Sequence, residues 1–283
     1  MKTIFYGIFS WAFFLSVMGS LFLVFNDGSF ESNLTKAILF LVMFCSLGMI
    51  IPCTTQEIGS NAGYYLKRYK FAQTVLRFTH WMYRLPVWIS LPFRSFAAID
   101  AARVSILSND LPQAEEWMAT ARSMAPNENW GMKFRINVTS GEIKFLKGDF
   151  EKAKNYLHQA VQLHEENKEH FKALREELSE YQVRNLDLLG QLALADDDLV
   201  LANAYFQLGI ELRKEINTLR NTAAAYELYW RSLKSAAKGD LNGAESHAVE
   251  AVSKLRAKQK LIQDREVCVG VVRTLKTLGM SLA

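Results

Sequence analysis

Four stretches of this chain fall into one register, and together they limit its fold more than any other feature. They are NDLPQAEEWMATA from Asn109, GDFEKAKNYLHQA from Gly148, DDLVLANAYFQLG from Asp197 and GDLNGAESHAVEA from Gly239. Each opens with a Gly, Asn or Asp and then an Asp. An apolar residue follows, then an alanine three positions on: Ala114, Ala153, Ala202 or Ala244. Four residues later comes an apolar or small residue (Met118, Leu157, Phe206, Ala248), and three beyond that an Ala or Gly. The opening pair predicts a tight turn that ends one helix and caps the next. The alanine is placed where two helices cross, since a larger side chain there would hold them apart. Upstream segments such as NLDLLGQLALA supply the first helix of each pair. The unit is therefore a helical hairpin, written four times.

This pattern resembles the tetratricopeptide repeat (TPR). That family places a small residue in the first helix, then Gly-Asp, Ala, an apolar residue and Ala. The matching first-helix residues here are Ala102, Gly141, Gly190 and Ser232, and Pro126 closes the first repeat as the family's proline does. The turns stand 39, 49 and 42 residues apart, where the family repeats at about 34. Longer helices or insertions must fill the difference. One such extension is LHEENKEHFKALREELSEYQ, in which Leu163, Phe171, Leu174, Leu178 and Tyr181 form a helical apolar stripe. The family's tryptophan near the start of the first helix is missing. The resemblance implies an α-solenoid over residues 95–283, with Asp264 to Ala283 as a helix covering its open end. It also implies a groove lined by the first helices that receives a protein partner. By alignment its residues are Phe96, Ile99, Arg103, Arg135, Val138, Glu142, Arg184, Asp187, Gln191, Tyr226 and Tyr229. The Lys/Asn clamp that some TPR domains use for a C-terminal carboxylate is absent, because Ile99, Val138, Asp187, Tyr229, Arg103, Glu142, Gln191 and Leu233 hold those places.

The N-terminal part has a different character. Residues 4–25 carry no charge, and neither do residues 37–56. About 20 apolar residues at about 1.5 Å each span a bilayer core. Residues 1–56 are thus expected to form a transmembrane hairpin, with spans at 4–25 and 37–55 and Pro52 ending or kinking the second. Residues 1–94 hold eight Lys/Arg against three Asp/Glu, and residues 95–283 hold 25 against 26. The excess follows the second span, and Lys/Arg excess marks the cytoplasmic side. The expectation is an integral membrane protein with the N-terminus and repeat domain cytoplasmic. Two spans followed by TPR is also similar in layout to the HemY-type bacterial inner-membrane family. That likeness would imply the inner membrane and a link to tetrapyrrole metabolism.

Residues 57–94 join the two parts. Within them GYYLKRYKFAQTVLRFTHWMYR, Gly63 to Arg84, predicts one basic aromatic helix. Lys67, Lys70, Gln73, Thr74, Arg77, His80 and Arg84 share a stripe, with Phe71, Val75, Phe78 and Met82 beside Tyr65, Tyr69, Ala72, Leu76 and Tyr83 on the opposite arc. Such a helix suits the headgroup layer of a membrane, with Lys67, Lys70, Arg77 and Arg84 on anionic lipid. The alternative is a helix packed on protein.

No catalytic constellation emerges. The three cysteines have no metal spacing, and His158, His164 and His170 stand six apart, which scatters them around a helix. No Gly-rich phosphate loop, nucleophile elbow or His-Glu-x-x-His occurs. The repeat region is slightly acidic, which disfavours nucleic acid. The expectation is an all-α, non-enzymatic scaffold that holds protein partners at a membrane, without cofactor or metal. The competing reading is a structural subunit of a membrane complex or a homo-oligomer.

Overall fold

A computed structural model describes residues 53–63, 66, 68–83, 87–125, 129–173, 175–216, 220 and 223–256. Among them every regular element is a helix: α1 (53–63), α2 (Tyr69–Met82), α3 (Val87–Leu107), α4 (Leu111–Met124), α5 (Trp130–Leu146), α6 (Phe150–Glu166), α7 (Lys168–Ala173), α8 (Arg175–Ala195), α9 (Leu199–Glu215), α10 (Ala223–Ala237) and α11 (Leu241–Arg256). The expected span at 4–25, that at 37–55 as far as residue 52, and the C-terminal helix from Asp264 lie outside these residues, whereas residues 53–55 of the second expected span belong to α1. No helix among the described residues is long and apolar enough to cross a membrane. The chain divides into two compact units, residues 1–124 and 125–283.

The four aligned turns share one backbone conformation. Asn109 and Asp197 sit at φ 62°, and Gly148 and Gly239 at φ 78°. At each turn this residue's N–H donates to the carbonyl three back, and the next N–H to the carbonyl five back from its own. The longer bonds are Asp110 to Ser105, Asp149 to Lys144, Asp198 to Ala193 and Asp240 to Ser235, at 2.8–3.0 Å. This is a left-handed C-terminal cap, which satisfies carbonyls that the helix end would leave bare. At three turns the Asp caps the following helix as well: Asp110, Asp198 and Asp240 accept through Oδ1 from the N–H of Gln113, Leu201 and Gly243. Asp149 instead pairs with Lys152 at 2.9 Å.

The crossing alanines Ala114, Ala153, Ala202 and Ala244 are all fully buried. So are Met118, Leu157, Phe206 and Ala248 one turn further. In the last three hairpins they face the small residue of the first helix. A Cβ at Gly141 would meet Leu157 at 2.6 Å, and one at Gly190 would land inside the ring of Phe206. Where the second helix offers only Ala248, the first carries Ser232, whose Oγ donates to the Ala244 carbonyl at 2.7 Å. Side-chain size is thus matched hairpin by hairpin.

In the unit formed by residues 125–283, α5/α6, α8/α9 and α10/α11 are antiparallel hairpins stacked in chain order. The 49-residue interval contains the short α7 and a 21-residue α8. Phe171, on α7, forms an aromatic cluster with Trp130, Phe134 and His164, and with Leu178 and Tyr181 it is buried as the apolar stripe predicted.

In the unit formed by residues 1–124, the helix expected from Gly63 begins only at Tyr69, and Gly63 instead ends the preceding helix α1, which folds back against α2. Gly59 lies against Val75 and Leu76, and Thr79 Oγ1 donates to Thr55 Oγ1 at 2.9 Å, so α1 runs antiparallel to α2. Gln56 and Ser60 both donate to Asp100 of α3. A Cβ at Gly63 would meet Val104 at 2.6 Å. Two glycines one helical face apart thus let α1 seat between α2 and α3. The α3/α4 hairpin completes the unit, with Ser95 Oγ donating to the Ala121 carbonyl.

Candidate functional site

The groove residues expected from the repeat resemblance lie on the first helices of the hairpins. In residues 125–283 these are α5, α8 and α10, whose aligned residues are Arg135, Val138 and Glu142, Arg184, Asp187 and Gln191, and Tyr226 and Tyr229. Their helical spacing of three or four places each set on one face. The structure divides them into two kinds. Val138, Glu142, Asp187, Tyr226 and Tyr229 are buried, whereas Arg135, Arg184 and Gln191 remain half-exposed. The half-exposed members of this set are thus basic or amide side chains, and both tyrosines are buried.

Interactions within and between hairpins explain the burial. Arg184 on α8 pairs with Glu142 on α5. Arg135 lies over the ring of Tyr181, with its guanidinium carbon 5.5 Å from the centroid. Asp187 is held from behind by Arg213 of α9, which donates from both terminal nitrogens, Nη2 at 2.7 Å and Nη1 at 3.2 Å. The Arg213 guanidinium lies over the Tyr226 ring, and Tyr226 packs edge-on to Tyr229. Carboxylate, guanidinium and phenol thus link three consecutive helices below the surface.

The electrostatics follow from burial. Desolvation pushes the Asp187 carboxyl upward, and the charges of Arg213 and, more weakly, Arg184 pull it back. The Tyr226 phenol is pushed up to about 12, chiefly by burial. A buried guanidinium without its carboxylate would be costly to desolvate, which makes the bidentate geometry a requirement of this core. Asp187 is therefore engaged by the protein's own arginine.

Arg213 is the residue that the sequence reading missed. In IELRKE it looks like one of several solvated charges. Yet Ala202, Phe206, Gly209 and Arg213 follow one another at four, three and four residues, all buried on one stripe of α9. Extending the apolar periodicity by one turn would have located it.

In the unit of residues 1–124, Phe96 and Arg103 are half-exposed on α3 and Ile99 is buried. Of the residues expected at a membrane surface, Lys70 and Arg77 are exposed on α2, and Arg77 also donates to Gln113. The side chains of Lys67 and Arg84 lie outside the described residues. The expected basic stripe is not all outward. Gln73 donates to Ser105 of α3 and to Ser108 in the turn after it, and His80 is buried edge-on to Trp117 of α4. A helix that packs on two neighbours gives up the arc facing them, whatever its polarity.

Among the described residues no group of three or more His, Cys, Asp or Glu lies close enough to hold a metal ion. No protein-family model, curated protein or solved structure matches this chain.

Proposed function

We propose that this protein is a membrane-anchored helical-repeat scaffold that receives a protein partner on the first-helix surface of its hairpins. The observation that carries the reading is the half-exposed row of Arg135, Arg184 and Gln191, set on a base already locked by Glu142, Asp187 and Arg213. A rigid base leaves the row preorganised, and little conformational entropy is then lost on binding. The row is cationic and amide-bearing, which suits a segment with carboxylates or exposed carbonyls. Anchoring by the uncharged runs at 4–25 and 37–56 would raise the effective concentration of the scaffold for partners in the same membrane.

The test is crosslinking in cells with a photoreactive residue at Gln191, which is accessible, rather than at Tyr229, which is buried. Capture of one foreign protein, abolished by Arg184→Glu, supports the scaffold. Capture of the protein's own chain instead transfers the assignment to a structural subunit of a homo-oligomer. Capture of nothing removes the first-helix surface from consideration.

A further inference from the structure

Packing fixes which side of α2 faces outward, and that side is a plate of aromatic rings bordered by cations. Ala72, Leu76, Thr79, His80 and Met82 are buried against α1, α3 and α4. Thr79 is held by Thr55, and Gln73 by Ser105 and Ser108, so the helix cannot rotate to hide its other face. On that face Phe71, Phe78 and Trp81 remain 53%, 51% and 51% exposed. Phe71 and Phe78 stand seven residues apart, within about 20° of each other around the helix. Trp81 stacks on Phe78, with ring centroids 5.8 Å apart. Lys70 and Arg77, also seven apart, run along one margin. No acidic residue occurs in Tyr69–Met82.

We propose that this face of α2 lies in the surface of an anionic lipid bilayer, with Phe71, Phe78 and Trp81 at the acyl boundary and Lys70 and Arg77 on lipid phosphates. Three large aromatics turned outward, beside cations with no acid on their own helix, suit an interface that is apolar on one side and anionic on the other. The covalent connection gives the same answer. The uncharged run of residues 37–56 leads directly into α1, which spans only about 16 Å. The proposal rests on the membrane anchoring proposed above. It goes further by assigning the lipid contact to a particular face, and by giving the anchor a fixed orientation to α1, α3 and α4.

The experiment uses the full chain in vesicles of phosphatidylcholine with phosphatidylglycerol. Cys45, Cys53 and Cys268 are replaced by serine, and one environment-sensitive fluorophore is attached at Thr74→Cys. Thr74 is exposed between the two phenylalanines, so all three rings remain. A second variant carries the label at the exposed Gln207 on α9. Flotation with the vesicles reads anchoring, and quenching by a lipid spin-labelled high on its acyl chain reads contact. The expected result is flotation of both variants, with several-fold stronger lipid quenching at Thr74 than at Gln207. That difference should be lost on Phe71→Ser/Phe78→Ser/Trp81→Ser, and reduced in vesicles of phosphatidylcholine alone. Flotation with equal quenching at the two sites would overturn the lipid assignment while leaving the anchor intact. Shielding of Thr74 from aqueous iodide without lipid quenching would give the face to a protein and also overturn it. Failure to float would remove both readings.

Discussion

Replacing Gly190 by alanine tests whether the match of small to large between paired helices sets the spacing of the hairpins. In an exposed helix interior this change stabilises by about 1 kcal/mol, because alanine loses less conformational freedom. Here the new methyl would enter the ring of Phe206. The ring has little room to retreat, since its other side stacks on Trp230 at 3.2 Å between centroids. Overpacking of this kind costs about 1–3 kcal/mol even after relaxation. The net expectation is destabilisation by up to about 2 kcal/mol at Gly190, against none at Gly131, where a Cβ would meet nothing closer than 3.7 Å. Truncating Phe206 to alanine alone should cost about 3–5 kcal/mol, as for other buried aromatics. In the Gly190→Ala/Phe206→Ala double variant the clash cannot occur and the methyl partly refills the cavity. The pair should then cost less than the two singles together, by about 1–3 kcal/mol. The assay is urea unfolding of the full chain in mild detergent, followed by far-UV circular dichroism, comparing variants of equal m-value. Single-variant costs that add to within about 0.5 kcal/mol would refute the argument, because uncoupled residues behave that way.

Asp187→Ala should destabilise by about 3–5 kcal/mol in the same assay by leaving Arg213 buried without its carboxylate, whereas Asp187→Leu/Arg213→Met should recover most of the loss. Gly148→Ala should cost about 1 kcal/mol, since nothing crowds the site and only the left-handed backbone resists a side chain. Asn109→Gly and Asp197→Gly should be neutral or stabilising on thermal melting for the same reason. The His164 imidazole is held below its ordinary value of 6.5 by desolvation, partly offset by Glu165. The unfolded chain therefore binds the proton more readily, and this contribution, full above pH 6.5, is lost as pH falls through the lower folded value. His164→Gln should flatten that acid limb of the stability profile below pH 6.5.

The repeat lines were legible because each encodes its own local structure. A turn needing positive φ selects Gly, Asn or Asp, and a close helix crossing selects alanine, wherever the rest of the chain goes. The four turns, the four crossing alanines and the small first-helix residues Gly141, Gly190 and Ser232 all behave as the sequence implied. The helix expected from Gly63 to Arg84 was less legible. Its amphipathic pattern is real, but periodicity cannot tell a helix lying on lipid from one wedged between two others. Gly59 and Gly63, which let α1 approach α2 and α3, carried no periodic signal.

By itself the sequence determined an all-α chain of hairpins, the positions of their turns, and uncharged N-terminal runs long enough to span a bilayer. Those properties depend on neighbours within a few residues, or on composition alone. Tertiary structure decided which side chains on a given face are available. It buried Asp187 against Arg213, 26 residues away, and turned His80 inward. It left Phe71, Phe78 and Trp81 outside. The reason is physical. Helical periodicity defines faces, but only packing between helices distant in sequence chooses which face loses its water and which charge must find a partner when it does.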